Sequence, residues 1–284
     1  MLTMKVIHSK TKTVKTRDNG RSADCISPNF IYGCLGGCMK SYCYVGRYNP
    51  DTIQIADNHK LIFNSLNKWV KDKPWAKIPN QTDSTYYTVD IGCSTDVPLM
   101  SKYCNWQEVF DFFNTHEKFK STFATKYPTR FPNYNLEPTK NRIRVSLMPQ
   151  VYSTVLEPNT DSIEDRLNSI PHLQNKLEVH LNFSPIIYTE GWLKEYENLF
   201  KMLKEREIDL KCECIFLTYH LIQAGRNSKE VNSLCRRPEF QEFKDSEYAP
   251  DNIRYQWQLK SSMVKVFTKL YSQYFNPENI RYIF

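Results

Sequence analysis

The residues with the most chemical promise form one run, Gly33-Cys34-Leu35-Gly36-Gly37-Cys38-Met39-Lys40-Ser41-Tyr42-Cys43-Tyr44. Cys34, Cys38 and Cys43 are spaced C-x3-C-x4-C among glycines, which let a backbone wrap closely around an inorganic object. Thiolates select zinc or an iron–sulfur cluster. Structural zinc usually draws four ligands from paired knuckles, and no fourth ligand stands near these three. A [4Fe–4S] cluster held by three protein thiolates leaves one iron open to a cofactor. Nine cysteines in all is an odd number, so they cannot all pair in disulfides within one chain. Cys25, Cys104, Cys212, Cys214 and Cys235 are scattered and read as inert core thiols.

Such a loop needs a scaffold, and the pattern around it alternates. Strands are expected at Tyr86–Cys93, Ser121–Thr125, Arg142–Leu147, Leu177–Phe183, Glu213–Tyr219 and Asn279–Phe284. Helices are expected over Lys60–Lys71, Asn105–Phe119, Asp161–Leu173, Glu190–Glu205 and Gln258–Tyr274. Asp161 and Glu164 have the spacing of a capping box. Strand and helix in repeated alternation predict an α/β fold with a parallel sheet, as an open or a closed barrel. Chemistry then belongs at the C-terminal ends of the strands.

Composition bounds the rest. Apolar residues at 40% and charged residues at 24% describe a globular chain and exclude a disordered, collagenous or coiled-coil one. The apolar runs are too short to span a bilayer. The N-terminal stretch is basic without an apolar segment behind it, so a cytoplasmic protein with reduced thiols is expected. Net charge is +7, and residues 1–24 carry six bases against Asp18 and Asp24. A basic arm over 1–27 suits a polyanion such as nucleic acid.

The cysteine run resembles that of the radical S-adenosylmethionine enzymes, and within them the spore photoproduct lyase family. Cys34 and Cys38 keep the first family spacing and Tyr42 keeps the aromatic before the last cysteine, while the second interval is two residues longer than the family's C-x3-C-x2-C. Further segments match in order: Asp90-Ile91-Gly92-Cys93-Ser94-Thr95-Asp96, Thr125-Lys126-Tyr127, Arg144-Val145-Ser146, Glu157-Pro158-Asn159-Thr160 followed by Arg166, Ser184-Pro185-Ile186-Ile187 with Gly191-Trp192, Arg254-Tyr255-Gln256-Trp257, and the closing strand.

The resemblance implies a partial (β/α)6 TIM-like barrel of the radical SAM type. It would be a single domain over 28–284, with a substrate-side extension from about residue 226. It implies that Cys34, Cys38 and Cys43 ligate a [4Fe–4S] cluster whose open iron binds S-adenosyl-L-methionine. Tyr42 would lie beside the adenine, and Thr95, Lys126 and Ser146 would hold the methionine end. A 5′-deoxyadenosyl radical then abstracts hydrogen from the substrate, Cys93 quenches the product radical, and Tyr42 and Tyr44 pass hydrogen back. Arg254, Tyr255 and Trp257 would read the nucleic acid through phosphate and an unstacked base. The activity implied is a lyase that repairs spore photoproduct, a thymine-dimer lesion, in DNA, with a flavodoxin or ferredoxin as electron donor. Two other readings fit the same residues: a radical SAM enzyme acting on another base or small substrate, and a non-enzymatic metal-binding protein that binds nucleic acid. Trp192, Tyr196 and His220 are expected in the core.

Overall fold

The computed structural model describes residues 3–7, 15–43, 45, 52–244 and 251–284. It gathers the chain into two compact units, Met1–Leu35, Asp51–Val145 and Asn168–His180 in the first, and Gly36–Pro50, Ser146–Leu167 and Leu181–Phe284 in the second. The described residues of the expected basic arm belong to the first unit.

Strands of the first unit are β1 (Thr3–Ile7), β2 (Arg17–Asp18), β3 (Cys25–Ile26), β4 (Ile31–Tyr32), β5 (Thr52–Ala56), β6 (Tyr87–Asp90), β7 (Phe119–Thr125) and the start of β8 (Asn141–Leu147). Helices α1 (His59–Val70) and α2 (Trp106–Thr115) join them. β3, β6, β7 and β8 lie side by side in parallel, with β2 antiparallel at the edge. The sheet's two faces differ in kind. One buries Val89, Phe119, Phe123, Ile143 and Val145, and α2 sets Phe110 against Phe123 at 6.0 Å and Phe113 against Phe119 at 6.3 Å. α2 stops at Thr115, four residues before its expected end. His116 Nδ1 there accepts from the N–H groups of Lys118 and Phe119, both at 3.2 Å, and turns the chain into β7.

The other face carries Thr88, Asp90, Lys120, Thr122, Arg142 and Arg144, two residues apart on each strand. Buried charges need partners. Arg144 pairs with Asp90 at 2.7 Å, and Arg142 with Asp83 at 2.9 Å and Glu178 at 3.0 Å. Lys120 joins Asp83 and Glu178, and His180 closes the group on Glu178 at 2.7 Å. Burial alone would raise the Glu178 carboxyl, but the His180 hydrogen bond and the Arg142 and Lys120 charges hold it far below the usual range.

After the Gly36–Pro50 segment, the second unit takes in the end of β8 and α3 (Gln150–Leu156). Next come α4 (Ile163–Gln174), which enters the first unit at Asn168, and β9 (Glu178–Ile186), which returns to the second at Leu181. The cap of α4 sits one residue later than expected: Ser162 Oγ accepts from the Asp165 N–H at 3.0 Å and donates to its carboxylate at 2.6 Å, so Ser162, not Asp161, is the capping hydroxyl. Then follow α5 (Trp192–Glu205), β10 (Cys212–Phe216), β11 (Thr218–His220), α6 (Leu221–Ala224), α7 (Lys229–Cys235), β12 (Gln241–Phe243), β13 (Asn252–Tyr255), α8 (Trp257–Tyr271) and β14 (Ile280–Ile283). β9, β10 and β14 are parallel neighbours, while β11, β13 and β12 form a separate antiparallel sheet. The single strand expected over Glu213–Tyr219 is thus two strands in two sheets. α5 and α8 pack through Trp192 and Tyr196 on Phe267, at 6.3 and 5.3 Å, which makes both α5 aromatics core residues. His220 is buried as well.

Candidate active site

In the first unit the site grows from the end of β6. Asp90 accepts from the Gly92 N–H at 3.0 Å and turns the chain, and a Cβ at Gly92 would come within 2.8 Å of Phe123 Cβ. That turn delivers Cys93, half-buried, and then Ser94 and Thr95. The Ser94 carbonyl accepts from the Gly33 N–H at 3.0 Å, and the Thr95 hydroxyl donates to the Gly33 carbonyl at 2.9 Å. Gly33 has φ +99, and a Cβ there would strike the Thr52 carbonyl, so the position requires glycine. The first cysteine of the run, Cys34, is buried and docked beside the Cys93 turn. Asp96 follows, buried, accepting from the Thr125 hydroxyl and the Lys126 N–H, each at 2.8 Å. Burial pushes its carboxyl up, and these hydrogen bonds only partly offset that. Cys34, Cys93, Thr95 and Lys126 therefore stand on adjoining turns at strand ends, with Thr95 spending its hydroxyl on the loop backbone.

The second unit holds the rest of the cysteine run. Gly37–Lys40 is one tight turn, and the Cys43 N–H donates to the Cys38 carbonyl at 3.1 Å. A Cβ at Gly37 would strike the Pro158 carbonyl, so only glycine allows this approach. The Tyr42 hydroxyl donates to Glu157. Glu157 also accepts from Ser153 at 3.2 Å and pairs with Arg166 at 2.8 Å, the ion pair having no exposed surface. Arg166 donates onward to the Ser146 carbonyl at 2.9 Å, the Thr160 hydroxyl at 2.6 Å and the Asp161 carbonyl at 2.9 Å. One buried pair thus ties Tyr42 to the end of β8, where Ser146 is buried. Burial first, and then the Glu157 charge, push the Tyr42 phenol well above its ordinary value. From the far side Gln223 donates to the Cys43 carbonyl at 2.7 Å and the Ser41 carbonyl at 3.2 Å, and Asn227 to the Ser41 carbonyl at 2.7 Å. Tyr44 lies outside the described residues.

Sequence reasoning assigned no role to Glu157, Arg166, Gln223 or Asn227. The first two stood in segments that match the lyases, which was the available signal. The amides of Gln223 and Asn227 carry no spacing that points to the loop.

The expected nucleic-acid readers part company. Trp257, the first residue of α8, is 71% exposed, and Phe243 on β12 is 64% exposed. Arg254 is exposed on β13 and pairs with its cross-strand neighbour Glu242 at 3.1 Å. Tyr255 is buried, and its hydroxyl accepts from the Tyr188 N–H at 2.8 Å, so its part is to brace the chain after β9.

None of the nine cysteines is in a disulfide. Among the described residues no three His, Cys, Asp or Glu side chains gather around a single metal-ion position. A cubane does not ask that of its ligands, since each thiolate takes a different iron. Three cysteines at C-x3-C-x4-C spacing supply the kind of donor that a [4Fe–4S] cluster takes from a protein.

These strand-end turns on a mainly parallel sheet define a partial α/β barrel. The sequence model described as spore photoproduct lyase matches residues 3–283. A spore photoproduct lyase of Clostridium acetobutylicum is 23% identical over 269 residues, 90% of this chain and 77% of that protein. A solved spore photoproduct lyase complexed with dinucleoside spore photoproduct superposes with a TM-score of 0.77 at 18% identity, over 98% of this chain and 82% of that one. A mutant with bound AdoMet and dinucleoside spore photoproduct gives 0.78 at 18% identity, over 99% and 82%. The chain belongs to the spore photoproduct lyase family, whose enzymes use a [4Fe–4S] cluster and S-adenosylmethionine. Its fold is the partial barrel expected from the sequence.

Proposed function

We propose that this chain reverses spore photoproduct in DNA, restoring two thymines. The observation that supports this best is the family match, which runs from residue 3 to residue 283 and takes in the Cys93 turn and the cysteine run. With the cluster and S-adenosylmethionine bound, the site gains one-electron radical chemistry, and the protein's part is to hold, orient and shield.

Cys34, Cys38 and Cys43 would hold the cluster. Thr95, Lys126 and Ser146 would hold the methionine end; the Lys126 ammonium would supply charge for a carboxylate, and Asp96 fixes its backbone. Tyr42 presents its ring while Glu157 holds its hydroxyl. Cys93 gives its S–H hydrogen to the carbon radical that remains once the thymines part. Tyr42 and Tyr44 would then supply a hydrogen atom to the Cys93 sulfur and pass the radical back toward the cofactor. Arg254 meets phosphate, exchanging Glu242 for it, and Trp257 supports the unstacked lesion. Tyr255 serves that surface by holding the Tyr188 backbone. Among the described residues no helix is long and apolar enough to cross a membrane, and we place the enzyme in the cytoplasm, supplied with electrons by a flavodoxin or ferredoxin.

The test is anaerobic. The protein is reconstituted with iron and sulfide, reduced, and given S-adenosylmethionine with dinucleoside spore photoproduct. Thymine release that fails in Cys34→Ala, Cys38→Ala and Cys43→Ala, and aberrant products in Cys93→Ala, are expected. Cofactor cleavage to 5′-deoxyadenosine with the lesion left intact would overturn the substrate.

A further inference from the structure

Cys104, expected to be an inert core thiol, is half-buried and has a partner. Its Sγ lies 3.5 Å from His59 Nε2, and His59 Nδ1 lies 2.9 Å from Glu108 Oε2. A carboxylate only accepts, so the imidazole proton sits on Nδ1 and leaves Nε2 bare toward the thiol. Phe30 meets the His59 ring edge-on at 5.3 Å and helps fix its plane. The three side chains line an open cavity of about 490 Å3 together with Asp57, Lys60 and Tyr103. His59 is the first residue of α1, and Cys104 immediately precedes Asn105, the N-cap of α2. Helix N-termini carry partial positive charge and favour a forming thiolate. All of these residues belong to the first unit, and none has a part in the radical chemistry proposed above.

We propose that Cys104, His59 and Glu108 form a second reactive centre, a thiol–imidazole–carboxylate relay at which Cys104 exchanges with small disulfides. The Cys104 sulfur attacks one sulfur of a low-molecular-weight disulfide. The old S–S bond breaks, a mixed disulfide forms on Cys104, and the other half leaves as a thiolate. The Cys104 proton passes to His59 Nε2 and from there to that thiolate, which departs as a thiol. Cys104 is oxidised and the small disulfide reduced, and excess thiol runs the step backward. Glu108 accepts from the His59 Nδ1–H and so orients the imidazole toward the thiol. The cavity is large enough for a tripeptide-sized adduct.

Burial, and then the Glu108 charge, push the Cys104 thiol up to about 12, so at rest the proton stays on sulfur. The Tyr134 phenol, which shares the field of that thiol, is also pushed up to about 12, chiefly by burial. Reaction therefore depends on His59 taking the proton as the new bond forms, and that dependence can be measured.

The cluster-loaded protein, kept under nitrogen, is incubated with oxidised glutathione, and adducts are mapped by peptide mass spectrometry. Cys104 should be modified, at a rate that depends on pH less steeply than that of an unaided thiol. A rate climbing about tenfold per pH unit from about pH 6 to about pH 9, as for an unaided thiol, would overturn the proposal. So would failure of Cys104 to react at all. His59→Gln should slow the adduct at Cys104 by at least about tenfold while leaving other sites unchanged. An unaltered rate in that variant would overturn the relay. If the variant does not fold, the pH profile of the unmodified protein decides alone.

Discussion

Two turns carry the candidate chemistry, and they are fastened in different ways. The turn after β6 is secured as the parallel strands assemble: Asp90 holds Gly92, the Ser94–Thr95 backbone meets Gly33, and Asp96 takes Thr125 and Lys126 from the end of β7. The Gly36–Cys43 loop is secured by Glu157, Gln223 and Asn227, at sequence separations of 115 to 186 residues. The first turn is built from several modest, separable hydrogen bonds. The second depends on the Glu157–Arg166 pair, and a buried pair tolerates the loss of one partner poorly. The strand end is thus held by contacts along neighbouring strands, whereas the described contacts of the ligand-bearing loop come from residues 115 to 186 positions away in sequence.

Breaking the loop's fastening should give the largest effect. Glu157→Ala leaves the Arg166 guanidinium buried without its carboxylate, at a cost of about 3–5 kcal/mol. Urea unfolding would show it as a midpoint shift. A variant that unfolds with the wild-type midpoint would mean that the loop does not depend on this pair. Asp96→Ala should cost less, about 1–3 kcal/mol, by stranding the Thr125 hydroxyl and the Lys126 N–H. Asp96→Asn should be milder still, because burial already disfavours the Asp96 charge. If Asp96→Ala proves costlier than Glu157→Ala, the contrast between the two turns is wrong.

The same contrast explains what could be read from the sequence. The strands expected over Tyr86–Cys93, Ser121–Thr125 and Arg142–Leu147 were legible as strands, and a parallel sheet places the residues at or just past their ends at its C-terminal edge. Strand limits were less so: β6 stops at Asp90, because that carboxylate begins the turn itself. The three cysteines were legible by spacing, and the family by ordered segments. The clamps were not, since a Gln and an Asn from around α6 have no pattern that announces a carbonyl at Ser41 or Cys43. Nor was the division among Arg254, Tyr255 and Trp257. Alternation along β13 puts Tyr255 inside and Arg254 outside, but only the observed register says which side is which.

Acid should separate the strand-end turn from the charged face beneath it. Asp24, Asp83 and Glu178 all have depressed carboxyl pKa values, since their partners outweigh the burial that would raise them. Stability from such groups is present above their unfolded pKa, about 4, and is lost as pH falls through the lower folded values. Asp96 is shifted the opposite way, so its contribution falls above the unfolded pKa, where acidification adds a little stability before the other carboxylates begin to lose theirs. The unfolding free energy should therefore fall below about pH 4, by at most about 1.4 kcal/mol per pH unit for each extra proton the unfolded chain binds. Glu178→Gln should flatten this limb, whereas Asp96→Asn should leave it unchanged and remove only the slight gain in stability on acidification above about pH 4. Urea titrations at several pH values would read both slopes, and equal slopes in the two variants would remove the distinction.

The smallest expected effect bears most directly on the loop. Gln223→Ala removes donors from the Ser41 and Cys43 carbonyls, and Asn227→Ala removes a donor from Ser41 alone. Neutral amide donors to a carbonyl contribute modestly, so each substitution should cost only about 0.5–1.5 kcal/mol. The consequence should be local, because the Glu157–Arg166 pair stays in place. Amide hydrogen exchange in the Gly36–Cys43 segment should quicken in both variants, more in Gln223→Ala, while exchange in β6 and β7 stays at the wild-type rate. Faster exchange throughout the sheet would mean that the two turns are one cooperative unit, and the different fastening of loop and strand end would then have no energetic consequence.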